Sequence, residues 1–405
     1  MEIDYQKLTE RTKEDLETGV KDRYGVVYSR DGKRLLRCVN DRLEKYKIRK
    51  GTEVICDFAF EEEYDGEHLL CIEIPDSVMA IGIYAFSGCT FLNQISLPQS
   101  VSYIGNYAFS GCWILKQLTL PASLKQLGDA LFVGCEILSL TSNSDQFVVN
   151  DDFLIDNQEN RLISYFGHEE SVTIPNSIKT IGDSIFAGNE TLKKVSIPNF
   201  VQTIGFRAFC GCESLQQIEI PDSVTTIENC AFVGCKSLQQ INVPNSLTII
   251  GDSVFENCLS LHQITISDSV ETIGDGAFSE CESLEQIKIP ASVTHIDGNA
   301  FCGCKSLQEI VLTESIKYIG ENAFEKCESL KKIIILGHFT DKVKKMLPKE
   351  LQKIAKRVEY VPNAESKAAI EEGLRLMKDP NAKKYTSIEE LFEDLSCDDD
   401  EEPTK

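Results

Sequence analysis

The segment Leu215-Gln216-Gln217-Ile218-Glu219-Ile220 ends in an alternation of apolar and polar positions, the pattern of a short half-buried strand. Pro221 follows and has no N–H to carry a ladder further, which keeps the strand short. From Ser223 to Phe232 the spacing changes, and Val224, Ile227, Ala231 and Phe232 fall on one face, as a helical or 3₁₀ turn would place them. Gly234 then supplies a permissive backbone for the return. Strand, turn and return make one coil.

The same coil recurs. The Phe that closes it stands at Phe86, Phe109, Phe132, Phe186, Phe209, Phe232, Phe255, Phe278, Phe301 and Phe324, every step being 23 residues except the 54 from Phe132 to Phe186. A degenerate copy ends in Ala59-Phe60. Ile-Pro-Asp-Ser-Val at 74–78 returns at 220–224, and Ile81-Gly82 returns as Ile104-Gly105, Ile181-Gly182, Ile204-Gly205, Ile273-Gly274 and Ile319-Gly320. The unit reads Leu-x-x-Ile-x-Ile-Pro-x-Ser-Val-x-x-Ile-Gly-x-x-Ala-Phe-x-Gly-Cys-x-Ser. A coil this small cannot bury its own apolar face, so stacking on neighbours is compulsory. The expected fold is an α/β repeat solenoid.

At these residues, over roughly 51–336, the chain resembles the BspA-like, treponemal-type leucine-rich repeats. The resemblance implies a right-handed leucine-rich-repeat coil with a parallel β-sheet on one face. It also implies relatives that look like surface adhesins binding host proteins, which carry export signals and anchors.

Two stretches break the period. Val26-Val27-Tyr28, Asp31-Gly32 and Arg34-Leu35-Leu36 read as a β-hairpin with an Asp-Gly turn, and Phe153-Leu154-Ile155 with Arg161-Leu162-Ile163 reads as a second. After Leu336, the positions Val343, Met346, Leu347, Leu351 and Ile354 follow helical spacing within 340–357, and 358–361 reads as a closing strand. The expected organisation is an N-terminal segment and hairpin cap (1–50), a first array (51–135), an irregular insert with a hairpin (136–173), a second array (174–336), a C-terminal cap with a helix (337–361) and an acidic tail (362–405). In the tail, Tyr385, Ile388, Leu391, Phe392 and Leu395 form a helical stripe behind a capping box from Ser387 to Glu390. It reads either as a helix folding back or as a short docking helix for a partner.

Charge narrows the function. The net charge is −23, which argues against nucleic acid, where binding depends on Lys and Arg neutralising phosphates. Residues 21–50 carry eleven basic side chains against four acidic, and 331–357 nine against two, flanking an acidic middle. The apolar runs are far shorter than a membrane-spanning helix needs. The opening Met1-Glu2-Ile3-Asp4 is acidic and polar, unlike a secretory signal, so a cytoplasmic location with reduced thiols is expected for the sixteen cysteines. A surface-exposed or secreted binder exported by an unconventional route is the alternative.

Candidate chemistry is sparse. Cys89, Cys112, Cys135, Cys212, Cys235, Cys258, Cys281, Cys304 and Cys327 share one repeat position, with Asn189 in the same column, and a column shared by every coil is a packing position. The pairs Cys210/Cys212 and Cys302/Cys304 lie four coils apart, roughly 19 Å at strand spacing, too far for one zinc. His68, His168, His262, His295 and His338 occupy unrelated positions without a nucleophile motif, and no glycine-rich phosphate loop is present. No catalytic residue, metal ligand or cofactor is expected. What remains is surface: Gln94, Gln117, Lys194, Gln217, Gln240, Gln263, Gln286 and Glu309 form one outward column of the strands, continued by Lys332. This stripe reads either as a solvated ladder of mutually bonded amides or as a recognition face for a protein or peptide. The expectation is a non-catalytic protein-interaction module, with self-assembly through the charged ends as a competing role.

Overall fold

The computed structural model describes residues 3–40, 42–61, 68–135, 139–337 and 340–358. Each coil contributes two strands. The longer, as in Lys194–Ser196 and Gln217–Glu219, pair in parallel with Val195 opposite Ile218. The shorter, as in Thr203–Ile204 and Thr226–Ile227, pair in parallel with Ile204 opposite Ile227. The chain is therefore a parallel β-solenoid whose two strand stacks enclose its apolar side chains, which form one large cluster around Phe60 to Phe132 and another around Phe186 to Phe324.

The helical or 3₁₀ turn expected from Ser223 to Phe232 is instead a tight turn, a two-residue strand and a second turn. Val224 N–H donates back to the Pro221 carbonyl at 3.0 Å, and Thr225 N–H reaches across to Gln202 in the preceding coil, so its bonding runs between coils. Cys230 adopts φ 62°, outside the right-handed helical region, which stops a helix there. Among the described residues, α-helix is confined to Tyr5–Thr9, Lys13–Thr18, Thr340–Met346 and Lys349–Gln352.

The core is a file of phenylalanines. From Phe186 to Phe324 each ring stacks on the next with centroids 5.0–5.6 Å apart and planes within 14°. A second file runs from Phe60 to Phe132. Beside the rings the cysteine column is buried as packing and donors together. Cys235 Sγ donates to the Phe209 carbonyl at 3.2 Å, Cys258 to Phe232 at 3.3 Å and Cys281 to Phe255 at 3.2 Å, each reaching one coil back. The turn serines do the same: Ser223 Oγ donates to the Val201 carbonyl at 2.7 Å and Ser269 Oγ to Leu247 at 2.8 Å. Side chains thus tie coil to coil wherever the two strand ladders do not.

Both hairpins are present, and each gains a strand. Val20–Lys21, Val26–Tyr28 and Arg34–Cys38 form an antiparallel meander whose last strand starts the parallel short-strand sheet through Leu35 opposite Ile55. Phe147–Asn150, Phe153–Asp156 and Arg161–Tyr165 repeat the arrangement, with Leu162 opposite Ile181. The helix Tyr5–Thr9 lies on the outer side of the first short-strand sheet, where Tyr5 stacks on Tyr103 at 5.2 Å and its hydroxyl meets Ser102 Oγ at 2.9 Å. At the other end the single cap helix anticipated over 340–357 is split at Pro348, which lacks an N–H for helix bonding. A strand at Ala355–Val358 extends the long-strand sheet beside Lys332–Leu336, and residues 359–361 of the expected closing strand lie outside the described residues.

The two repeat arrays meet around a buried ion pair. The Arg161 guanidinium donates to both carboxylate oxygens of Asp129, through Nε at 3.1 Å and through a closer second nitrogen. The Asp129 side chain is 9% exposed and Arg161 30%. Burial raises the Asp129 carboxyl pKa against the opposing pull of Arg161. Asp129→Ala strands the Arg161 guanidinium, and we expect it to lower stability by roughly 3 kcal/mol in urea denaturation. A loss below about 1 kcal/mol, the range of exposed pairs, would refute the structural role of the pair.

Candidate functional site

The long strands read exposed–buried–exposed, as in Gln217-Ile218-Glu219 and Gln240-Ile241-Asn242. The middle isoleucine enters the core, and the residues on either side face outward. This alternation sets Gln94, Gln117, Lys194, Gln217, Gln240, Gln263 and Gln286 on the exposed face, and Glu309 half-buried on the same face. Gln217 stands opposite Lys194, Gln240 opposite Gln263 and Gln286 opposite Glu309.

The anticipated amide-to-amide ladder does not form: among the described residues, no hydrogen bond joins neighbouring glutamines of this column. Its one internal tie is the ion pair between Glu309 and Lys332. The long-strand pairing is also interrupted between Gln94–Ile95 and Gln117–Leu120, between Gln217–Glu219 and Gln240–Asn242, and between Gln263–Thr265 and Gln286–Lys288. A shallow depression lies at each of the last two. One of about 450 Å³ is lined by Gln217, Glu219, Gln240 and Asn242. The other, of about 490 Å³, is lined by His262, Gln263, Glu285, Gln286, Lys288 and Glu309. The glutamine amides at these rims therefore hold unspent donors and acceptors in register.

The remaining candidates separate. Cys212 and Cys304 are buried and donate to the Phe186 and Phe278 carbonyls at 3.0 and 3.2 Å, whereas Cys210 is half-buried and makes no such bond. Burial pushes the Cys212 thiol up to about 12. Among the described residues no cysteine is joined in a disulfide, and no cluster of His, Cys, Asp and Glu has the geometry to hold a metal. His262 Nδ1 lies 3.2 Å from the Ser260 carbonyl and His295 Nδ1 2.7 Å from Thr294 Oγ1, contacts with residues one or two away along the chain. His338 and the tail stripe of Tyr385, Ile388, Leu391, Phe392 and Leu395 lie outside the described residues. No helix among the described residues is long and apolar enough to cross a membrane.

Sequence reasoning missed the surface at the meeting of the two arrays. Trp113, beside Gly134, is 60% exposed, and Ile114 after it is 38% exposed. Two signals mark the place in the sequence: the 54-residue step, and apolar residues where other coils carry serine or charge.

Comparison with known proteins agrees with the fold. The family model described as the BspA type leucine-rich repeat region matches in six copies, over residues 38–158, 164–285 and 248–349. Among curated proteins none matches. Of solved structures, the pneumococcal vaccine antigen PcpA is 19% identical with a TM-score of 0.56, the match covering 85% of this chain and 99% of that one. A leucine-rich repeat protein from Eubacterium ventriosum is 22% identical with a TM-score of 0.52, covering 70% and 92%. Another from Bacteroides ovatus is 26% identical with a TM-score of 0.44, covering 84% and 97%. With the family model spanning most of the solenoid, coil after coil, the chain belongs to the BspA-type leucine-rich repeat family.

Proposed function

We propose that this protein is a non-catalytic binding module that takes a protein or peptide partner on its long-strand face. The observation that carries the reading is the run of exposed, mutually unbonded amides at Gln217, Gln240, Gln263 and Gln286 over two interruptions of the ladder that open into depressions. An extended peptide offers the alternating donors and acceptors that such amides can engage, and side chains shallow enough for these depressions. The stripe is poor in aromatic residues, which disfavours sugar stacking and favours a polypeptide ligand. Thiols held as buried donors to carbonyls are consistent with a reducing, cytoplasmic setting.

Replacing Gln217, Gln240, Gln263 and Gln286 together by alanine is expected to reduce partner capture from native lysate by about tenfold or more, since each lost amide contact contributes about 1 kcal/mol. Thermal stability should stay nearly unchanged, because exposed substitutions shift it by about 0.5 kcal/mol or less. Undiminished capture by the folded variant would move recognition off this face.

A further inference from the structure

A third ladder, made of backbone bonds between turns, runs the length of the solenoid and fails at one junction. Tyr107, Phe109 and Gly111 donate their N–H groups to the carbonyls of Asp129, Leu131 and Val133 at 3.0, 3.2 and 2.7 Å. Ser184, Phe186 and Gly188 donate to Phe206, Ala208 and Cys210, each at 2.8 Å. The same three rungs recur at every described junction from Tyr84 to Gly303 but one. Where Ala130, Phe132 and Gly134 should donate to Asp183, Ile185 and Ala187, none of the three forms. A groove of about 290 Å³ opens there, lined by Phe132 to Cys135, by Tyr165 to His168 and by Ser184 to Thr191.

The surface next to its Gly134 lip is unlike the rest. Trp113, the chain's one tryptophan, brings its indole nitrogen to 3.8 Å from where a Cβ on Gly134 would stand, and Ile114 follows it. Equivalent positions in later coils are Glu213-Ser214 and Lys236-Ser237, with the Glu213–Lys236 ion pair at 2.7 Å. Exposed tryptophan beside unmade backbone bonds is a combination that sites for extended peptides use.

We propose that this break docks an extended segment of a partner protein, which enters as the missing turn. Its carbonyls would accept from the N–H groups of Ala130, Phe132 and Gly134, its own N–H groups would donate to the carbonyls of Asp183, Ile185 and Ala187, and an apolar side chain would lie on Trp113 and Ile114. Donors stand on one lip and acceptors on the other, so the complement is a backbone carrying both on opposite edges. A helix has spent those groups internally, and an ion matches only one lip. This site is separate from the glutamine face and stands or falls independently of it.

The test uses the full chain and a capped peptide copying residues 106–111, Asn-Tyr-Ala-Phe-Ser-Gly, the repeat's own turn. Trp113 fluorescence should shift saturably toward the blue on addition of peptide. A peptide N-methylated on the amides that face the Asp183 lip should bind about tenfold more weakly or worse, because it keeps the side chains and loses the rungs. Hydrogen exchange at Ala130, Phe132 and Gly134 should be fast in the free protein and slowed by the peptide. Equal binding of both peptides, or of neither, overturns the proposal. So does protection of those three amides in the free protein matching that of Tyr107, Phe109 and Gly111, and so does a fluorescence shift that follows self-association without peptide, which would make the occupant a second copy.

Discussion

Taken from neutral pH to about pH 10, the protein is expected to lose stability steadily, because its ladder thiols hold their protons more tightly when folded. Burial pushes Cys212 and Cys258 up to about 12 from 9.0, and Cys235, Cys281 and Cys304 well above 9.0. Since each folded value lies above the unfolded one, the contribution is complete below pH 9 and is lost as pH rises from 9 toward 12. The five groups shift in the same sense, so together they make the slope of stability against pH negative across this range. Urea denaturation monitored by circular dichroism across this range measures the slope of stability against pH. Cys258→Ala and Cys281→Ala should each flatten it by about one proton. A stability that holds level from pH 8 to about 10.5 would show that the thiols do not titrate this way.

Phe232→Ala is expected to lower stability by about 3–5 kcal/mol, the range for emptying a fully buried aromatic site. Phe232 is 0% exposed and stacks between Phe209 at 5.2 Å and Phe255 at 5.5 Å, so its removal leaves a void that two coils would have to collapse to fill. Phe324 sits at the end of the file, 5% exposed and stacked on Phe301 alone at 5.6 Å, and Phe324→Ala should cost clearly less. Urea denaturation of both variants checks the order. Equal losses would mean that the rings act as independent buried side chains and not as a continuous file.

The coil length, the cysteine column and both hairpins could be read from the sequence because each rests on a local, repeated signal. The second strand could not. Val224 and Ile227 are three apart, which fits a helical face as well as it fits a residue before a two-residue strand, and two residues are too few to display alternation. What excludes the helix is the backbone at Cys230, whose positive φ leaves no compositional trace in a residue other than glycine. The N-terminal helix was hidden for another reason: its packing is written far away. Val54, Ala80 and Tyr103 are buried under it, where the second array has Thr180, Thr203 and Thr226. The outward glutamine column was predictable from strand alternation, but not that its amides would stay unbonded or that the ladder beneath them would be interrupted. The meeting of the arrays showed only as a long step, since missing backbone bonds have no residue type of their own.

Under tension along its axis, this molecule would behave as two springs joined by a soft link. At the other described junctions from Tyr84 to Gly303 the turn lacing holds even where a strand ladder is interrupted, so load there is shared among many bonds and separation must proceed like a zip. At the Ala130 to Gly134 junction the turn lacing is absent, and the joint leans on the Asp129–Arg161 pair and on Tyr107, whose hydroxyl meets Ser184 Oγ at 2.9 Å. Extension would begin there and leave each half intact. A strand seated in that gap would act as a splint, so occupancy would be felt as stiffness along the whole length.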